Sequence, residues 1–204
     1  MEIKRTVKEK PALKGIYTFT KAFLETPEQI ALDREISELH RLAALQLDAG
    51  NELAAQAYMS DAMPLIRKLN SMCRTEVTTA ENLIPTVGRA ALANWLTNGS
   101  PSPASLRLNY TALGTNNTAP ANADTQLGTE TYRKAIASET SANNVAYCTA
   151  FYTASEVSGT FYEAGVFMNA TATANSGTLF SHVAVSIIKD LLTTLTIDYT
   201  ITFN

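Results

Sequence analysis

The spacing of apolar residues changes part-way along this chain. Between residues 26 and 72 they recur every three or four positions, at Leu32, Ile36, Leu39 and Leu42 and then at Leu53, Ala54, Ala57, Tyr58, Ile66, Leu69 and Met72. That spacing lines one face of an α-helix. Thr26-Pro27-Glu28-Gln29 marks a helix start, with Thr26 as the cap, Pro27 at the first helical position and Gln29 placed to close a capping box. Gly50 is a natural stop and Asn51 a cap for a second helix, which Pro64 is expected to kink or split. Two helices joined this tightly form an antiparallel hairpin.

Short strands flank the hairpin. Ile3–Val7 and Gly15–Thr20 precede it, and Cys73–Thr79 follows, placed to return and pair with one of the first two. Asn82–Leu96 reads as a short helix burying Leu92, Trp95 and Leu96, and Ser100-Pro101-Ser102-Pro103 as a stiff linker. Beyond it the period becomes two. Strands are predicted at Leu106–Leu113, Tyr132–Glu139, Val145–Tyr152, Phe161–Met168, Leu179–Ile188 and Leu192–Phe203, with reversals at Asn143-Asn144, Gly159 and Gly177. The last strand places Leu195, Ile197, Tyr199, Ile201 and Phe203 on one face and Thr or Asp on the other. Six strands without room for crossover helices favour an antiparallel sandwich. The predicted fold is α+β, with a helical hairpin module over residues 1–84 and a short helix plus antiparallel β-sandwich over residues 85–204.

Composition sharpens this division. Residues 85–204 are rich in Thr, Ala and Asn and hold about twelve Asp, Glu, Lys and Arg, roughly half the number found before them. A sheet so poor in charged side chains invites pairing at its edges, so its faces or edges are expected to be covered by neighbouring subunits in a homo-oligomer. The net charge of −3 and the lack of a dense Lys/Arg cluster argue against nucleic acid as a partner. No apolar run approaches the roughly 20 residues of a membrane helix, and no secretory signal opens the sequence, so synthesis in a cytoplasm without membrane insertion is expected.

Chemistry-bearing residues are sparse. Cys73 and Cys148 lack metal-type spacing and read as free thiols. His40 is placed on a charged helix face and His182 on a strand, and no spacing of Cys, His and acidic residues suggests a metal cage. There is no nucleophile elbow and no glycine-rich phosphate loop. The sequence therefore nominates no catalytic, cofactor-binding or metal residue. Glu163 reads as structural, pairing with Arg133 or with a loop backbone, and Gly165 as a bulge or close backbone approach. Tyr147, Phe151, Tyr152, Phe161, Tyr162 and Phe167 fit a core better than a sugar platform, and Trp95 is expected to anchor its helix.

Three segments carry a resemblance. Leu113-Gly114-Thr115-Asn116-Asn117 through Thr125-Gln126-Leu127-Gly128-Thr129-Glu130 with Arg133-Lys134-Ala135-Ile136, then Glu156-Val157-Ser158-Gly159-Thr160-Phe161-Tyr162-Glu163-Ala164-Gly165-Val166-Phe167, and the terminal strand Thr194–Phe203, resemble a domain of tailed-bacteriophage and prophage structural proteins. The similarity spans about residues 82–204. It implies a virion location as a collar, head-fibre, decoration or tail-associated protein. The expected function is a non-enzymatic virion component that self-associates and docks on capsid, neck or tail. The alternative is a receptor- or carbohydrate-binding module that uses the loops Thr115–Ala123 and Ala170–Ser176 against a host-surface glycan.

Overall fold

A computed structural model describes residues 13–98 and 102–204. The strand expected at Ile3–Val7 lies outside the described residues. The chain opens on β1 (Leu13–Phe23), passes through helices α1 (Pro27–Asp48) and α2 (Glu52–Met72), and returns as β2 (Arg74–Glu81). Helix α3 (Thr86–Asn98) and a single 3-10 turn (Pro103–Leu106) lead to β3 (Leu108–Gly114), β4 (Glu130–Ala135), β5 (Ser138–Ala142), β6 (Val145–Tyr152), β7 (Gly159–Met168), β8 (Thr178–Lys189) and β9 (Thr193–Phe203). The α+β class, the N-terminal hairpin and the antiparallel sandwich are all present.

The strands form a five-stranded sheet, β2-β1-β9-β6-β5, facing a four-stranded sheet, β4-β3-β7-β8. All their pairings are antiparallel. The composition change near residue 84 does not separate two cores. β1 pairs with β9 from Leu13↔Phe203 to Phe23↔Thr193, and Tyr17 and Phe19 share one core with Ile197, Tyr199, Val166 and Val183. The stretch expected as one strand at Tyr132–Glu139 is two, β4 and β5, because the chain turns at Ile136-Ala137 from one sheet to the other.

The helical hairpin is an insertion between the paired strands β1 and β2. The capping box at Thr26 forms as expected. Gln29 also donates from Nε2 to the Met72 carbonyl at 2.8 Å, which clasps the two roots together. Small residues Ala43, Ala55 and Ala62 are fully or almost fully buried and allow close helix approach, while Leu32, Ile36, Ile66 and Leu69 pack over Phe151 of β6. Phe151 points away from the sandwich core that its neighbours Ala150 and Tyr152 enter, so the hairpin covers the outer face of the five-stranded sheet around Phe151. This explains why Thr194 and Thr196, on the polar face of β9, are buried. Helix α2 runs unbroken through Pro64 rather than splitting, with Ala62, Ile66 and Leu69 packed on either side of the proline.

His40 is buried rather than on a charged face, set edge-on to Phe151 with its ring centroid 6.0 Å away. Among the described residues neither ring nitrogen has a hydrogen-bond partner. Burial first, and the charge of Lys134 second, push its pKa down to about 3.

Helix α3 starts at Thr86, later than expected, because Asn82-Leu83 is bound in extended form to the sandwich. Leu83 exchanges two backbone hydrogen bonds with His182, each 2.9 Å, and the Asn82 amide donates to Ser181 Oγ and the Tyr199 hydroxyl at 2.6 and 3.0 Å. The helix is held at its start. A Cβ on Gly88 would lie 3.0 Å from the backbone of Phe180, so glycine permits the helix to sit directly on β8. Trp95 is 38% exposed and Leu96 76% exposed, so neither is the anchor; Ala91 and Leu92 pack on the core instead.

Two measurements test the hairpin interface. Ile66→Ala, which empties a site at the helix and sheet junction, should lower stability by about 2–5 kcal/mol in chemical denaturation, whereas Leu53→Ala, at a position 81% exposed, should change it by no more than about 0.5 kcal/mol. The second test is pH. Because the imidazole is charged more readily in the unfolded chain (6.5) than in the folded one (about 3), stability should fall as pH drops from 6.5 toward 3, with a slope of at most about 1.4 kcal/mol per pH unit. His40→Phe should remove that component from the difference between the two stability profiles.

Candidate functional site

The outer face of the four-stranded sheet is where the resembling segments converge. Ala112, Phe167 and Leu179, from β3, β7 and β8, form a small apolar cluster with Leu127 and Ala170, which come from the loops 115–129 and 169–177. Val87 of α3 packs against the same cluster. The two loops considered as a contact surface are therefore folded over the sheet, presenting an outer side to solvent and an inner side to the sheet.

Glu163 pins the first loop. A register shift between Phe161 and Glu163 turns this carboxylate out of the core onto the loop side of β7. Its Oε1 accepts from the backbone N–H of Asn116 and Thr129 at 3.2 and 2.7 Å, and its Oε2 from that of Gly128 at 2.9 Å. His182 Nε2 lies 3.0 Å from the same Oε2, and His182 Nδ1 lies 2.8 Å from Asp124 Oδ2. Asp124 in turn accepts from the Ala121 N–H at 2.7 Å. One chain of polar groups, buried at Glu163 and His182 and partly exposed at Asp124, thus joins β7, β8 and both ends of the loop. Gly114 and Gly165 have no room for a side chain here: a Cβ at Gly165 would lie 3.0 Å from Leu127, Leu179 and Ser181 atoms, and one at Gly114 would strike the Glu163 carboxylate.

Arg133 pins the second loop. It forms a bidentate pair with Glu130 at 2.7 and 2.8 Å, with both side chains almost fully buried. Its remaining Nη1 donates to the carbonyls of Thr171 and Ser176 at 3.2 and 2.9 Å and to Ser176 Oγ at 2.9 Å, while the guanidinium lies 4.3 Å from the Phe167 ring centre. Of the two partners expected for Glu163, the loop backbone is the one found; Arg133 belongs to Glu130.

A third polar cluster ties the turn after β6 to the hairpin. Glu156 pairs with Lys134 and accepts from the Thr153 N–H at 2.7 Å. Asp33 of α1 accepts from the Ala154 N–H at 3.2 and 3.3 Å, and burial raises its carboxyl pKa. Lys189 is buried and donates to the carbonyls of Val157, Ala154 and Asp190 at 2.8, 3.2 and 3.3 Å, its amine pushed down to about 8 chiefly by burial. Sequence reading missed Asp33, Lys134 and Lys189, since nothing in their spacing distinguishes a buried charge from a solvated one.

The arrangement holds backbone in place. Both nitrogens of His182 face carboxylates, and among the described residues no hydroxyl or thiol is hydrogen-bonded to it as a nucleophile would be. Among the described residues no group of three or more His, Cys, Asp and Glu side chains is placed to hold a metal ion. Cys73 and Cys148 are free, and burial drives both thiols upward, Cys148 to about 12, away from the range of a reactive thiolate. Phe151, Tyr152, Phe161 and Phe167 are buried, while Tyr147 and Tyr162 are exposed. No described helix is long and apolar enough to cross a membrane. No known protein family, curated protein or solved structure matches the chain.

Replacing Glu163 with Gln keeps its size but removes the charge that three backbone donors share. The variant should lose about 2–4 kcal/mol of stability, with faster amide hydrogen exchange at Gly128 and Thr129. Thr125→Ala, at an exposed position of the same loop, should leave both unchanged.

Proposed function

We propose that this protein is a non-enzymatic structural component of a tailed-bacteriophage virion, which self-associates and docks on capsid, neck or tail. One observation carries the reading. The residues that give the chain its resemblance to phage structural domains, among them Gly114, Asp124, Glu130, Arg133, Glu163 and Gly165, are engaged in holding two loops rigidly on a sheet. Such residues maintain a shape, which is what a virion component contributes.

Surfaces suited to assembly lie at the sheet margins. Parts of the outer faces of both sheets are covered within the chain, by the hairpin around Phe151 and by α3 and the two loops around Ala112, Phe167 and Leu179. The margin at β2 is different: nearly every residue of this edge strand is exposed, including Val77 at 60%. Ile188, Leu191 and Leu192 expose a further apolar group at the turn between β8 and β9. Burial of such apolar area and pairing along a free edge are the usual sources of subunit affinity.

A receptor- or glycan-binding role is the second reading, favoured by the pinning of both loops, since a preorganised loop loses little entropy on binding. Purified protein should run in light scattering as an oligomer, or co-sediment with virion particles. A monomer that does neither sinks the assembly reading, and glycan-array binding that disappears on replacing residues 171–175 would favour the second.

A further inference from the structure

Strand β2 is a margin of the five-stranded sheet: it pairs with β1 on one side, and among the described residues nothing pairs with its other side. The phase of the ladder decides which groups stay open. The Asn82 N–H donates to the Gly15 carbonyl at 3.3 Å, and on the far side of β1 the Leu24 N–H donates to the Leu192 carbonyl at 2.9 Å. Carried along the unbroken register from Ile16↔Glu81 to Phe23↔Arg74, this phase turns the peptide groups of Arg74, Glu76, Thr78 and Ala80 toward β1. Those of Thr75, Val77 and Thr79 therefore point outward.

The side chains of the same three residues lie on the outer face of the sheet, because Thr78 and Ala80 stand opposite the core residues Phe19 and Tyr17. Every residue from Arg74 to Thr79 is exposed, Val77 by 60%. Exposed edges are commonly blocked by a proline, a bulge or a lysine within the strand. β2 has none of these: its register runs without a bulge, its centre is threonine and valine, and its one cation, Arg74, sits at the end beside Glu25 and Glu76.

The order of residues along β2 also suits its own reverse. When two copies meet antiparallel about a two-fold axis through Val77, each Val77 faces its own copy and each Thr75 faces the Thr79 of the other. These are the outward-facing positions, so each donates and accepts one backbone hydrogen bond. Moving the axis to Thr78 parts the two valines and sets Glu81 against Thr75. Charge sets the direction. Each strand starts at Arg74 and ends at Glu81, so antiparallel pairing lays an arginine end against a glutamate end at both margins, where parallel pairing lays like against like.

We propose that β2 is a dimerisation strand: two copies of this chain pair antiparallel through residues 75–79, centred on Val77, and join their five-stranded sheets into one. The proposal rests on the self-association reading above and names its contact.

Cysteine cross-linking of the full chain reads the register directly. In a Cys73→Ser background, which removes the partly buried thiol next to the strand, Val77→Cys should oxidise to a disulfide-linked dimer, because residues opposed in such a pair lie about 5.5 Å apart. Thr75→Cys and Thr79→Cys should each stay monomeric alone and cross-link when mixed. Val77→Lys, a change at an exposed position, opposes two ammonium groups at the axis and should weaken dimerisation about tenfold or more in sedimentation with an unchanged melting temperature. The proposal is overturned if Val77→Cys does not cross-link, if Thr75→Cys or Thr79→Cys alone cross-links as readily, or if Val77→Lys leaves the oligomer intact. In that last case self-association stands through another surface. A chain that is monomeric at roughly millimolar concentration also overturns the pairing, and co-sedimentation with virion particles then decides the assembly reading separately.

Discussion

The pairing of β1 with β9 holds the rest of this structure in place. It runs for eleven residue pairs, from Leu13↔Phe203 to Phe23↔Thr193, and joins the two ends of the described chain at the centre of the five-stranded sheet. Tyr17 stacks on Phe19 at 5.5 Å and lies 4.5 Å from Tyr199, its directly paired neighbour. Because β2 pairs with β1, the same contact fixes both roots of the helical hairpin and lays it over β9 and β6. So long a sequence separation delays closure until most of the chain is available, which makes slow, cooperative folding the physical expectation.

The protein buries an unusual range of charge for so sparsely charged a segment. Glu163, and Arg133 with Glu130, are removed from water and engaged, and buried Lys134 pairs with the partly exposed Glu156. Buried pairs of this kind contribute little net stability but make alternatives costly, since any rearrangement strands a charge. The loops over the four-stranded sheet are fixed for this reason, with the apolar contacts of Leu127 and Ala170 adding to the hold. The interface under the hairpin is looser in polar terms: among the described residues, Ser37, His40, Asn70, Thr153 and Thr194 each keep a buried polar atom without a partner. That difference makes the hairpin, rather than the loops, the element most readily disturbed by acid or by mutation.

Periodicity made most elements legible. The capping box at Thr26, the span of β6 and the turn at Asn143, which takes a positive φ of 54°, follow from local preferences that act wherever the chain is placed. The part of the site that was legible was the acidic residue beside two small ones, Glu163-Ala164-Gly165, since a carboxylate next to a glycine in a strand implies a backbone approached closely. The loop backbone was among its expected partners, but the side chains linked to it were not legible. His182 and Asp124 are 58 residues apart, and His40 looked solvated because its helix neighbours Arg34, Glu38 and Arg41 are charged.

By itself the sequence determined where helices and strands form, which face of β9 is apolar, and that two loops would be built from small polar residues. Tertiary structure alone decided that residues before the composition boundary complete the sandwich, that the polar face of β9 is buried beneath the hairpin, and that one stretch near Ile136 divides between two sheets. The physical reason is the same in each case. Period and capping depend on neighbours a few residues away, whereas burial of a threonine or a histidine depends on which distant element settles over it. Nothing within the threonine side chain distinguishes water from a helix above it.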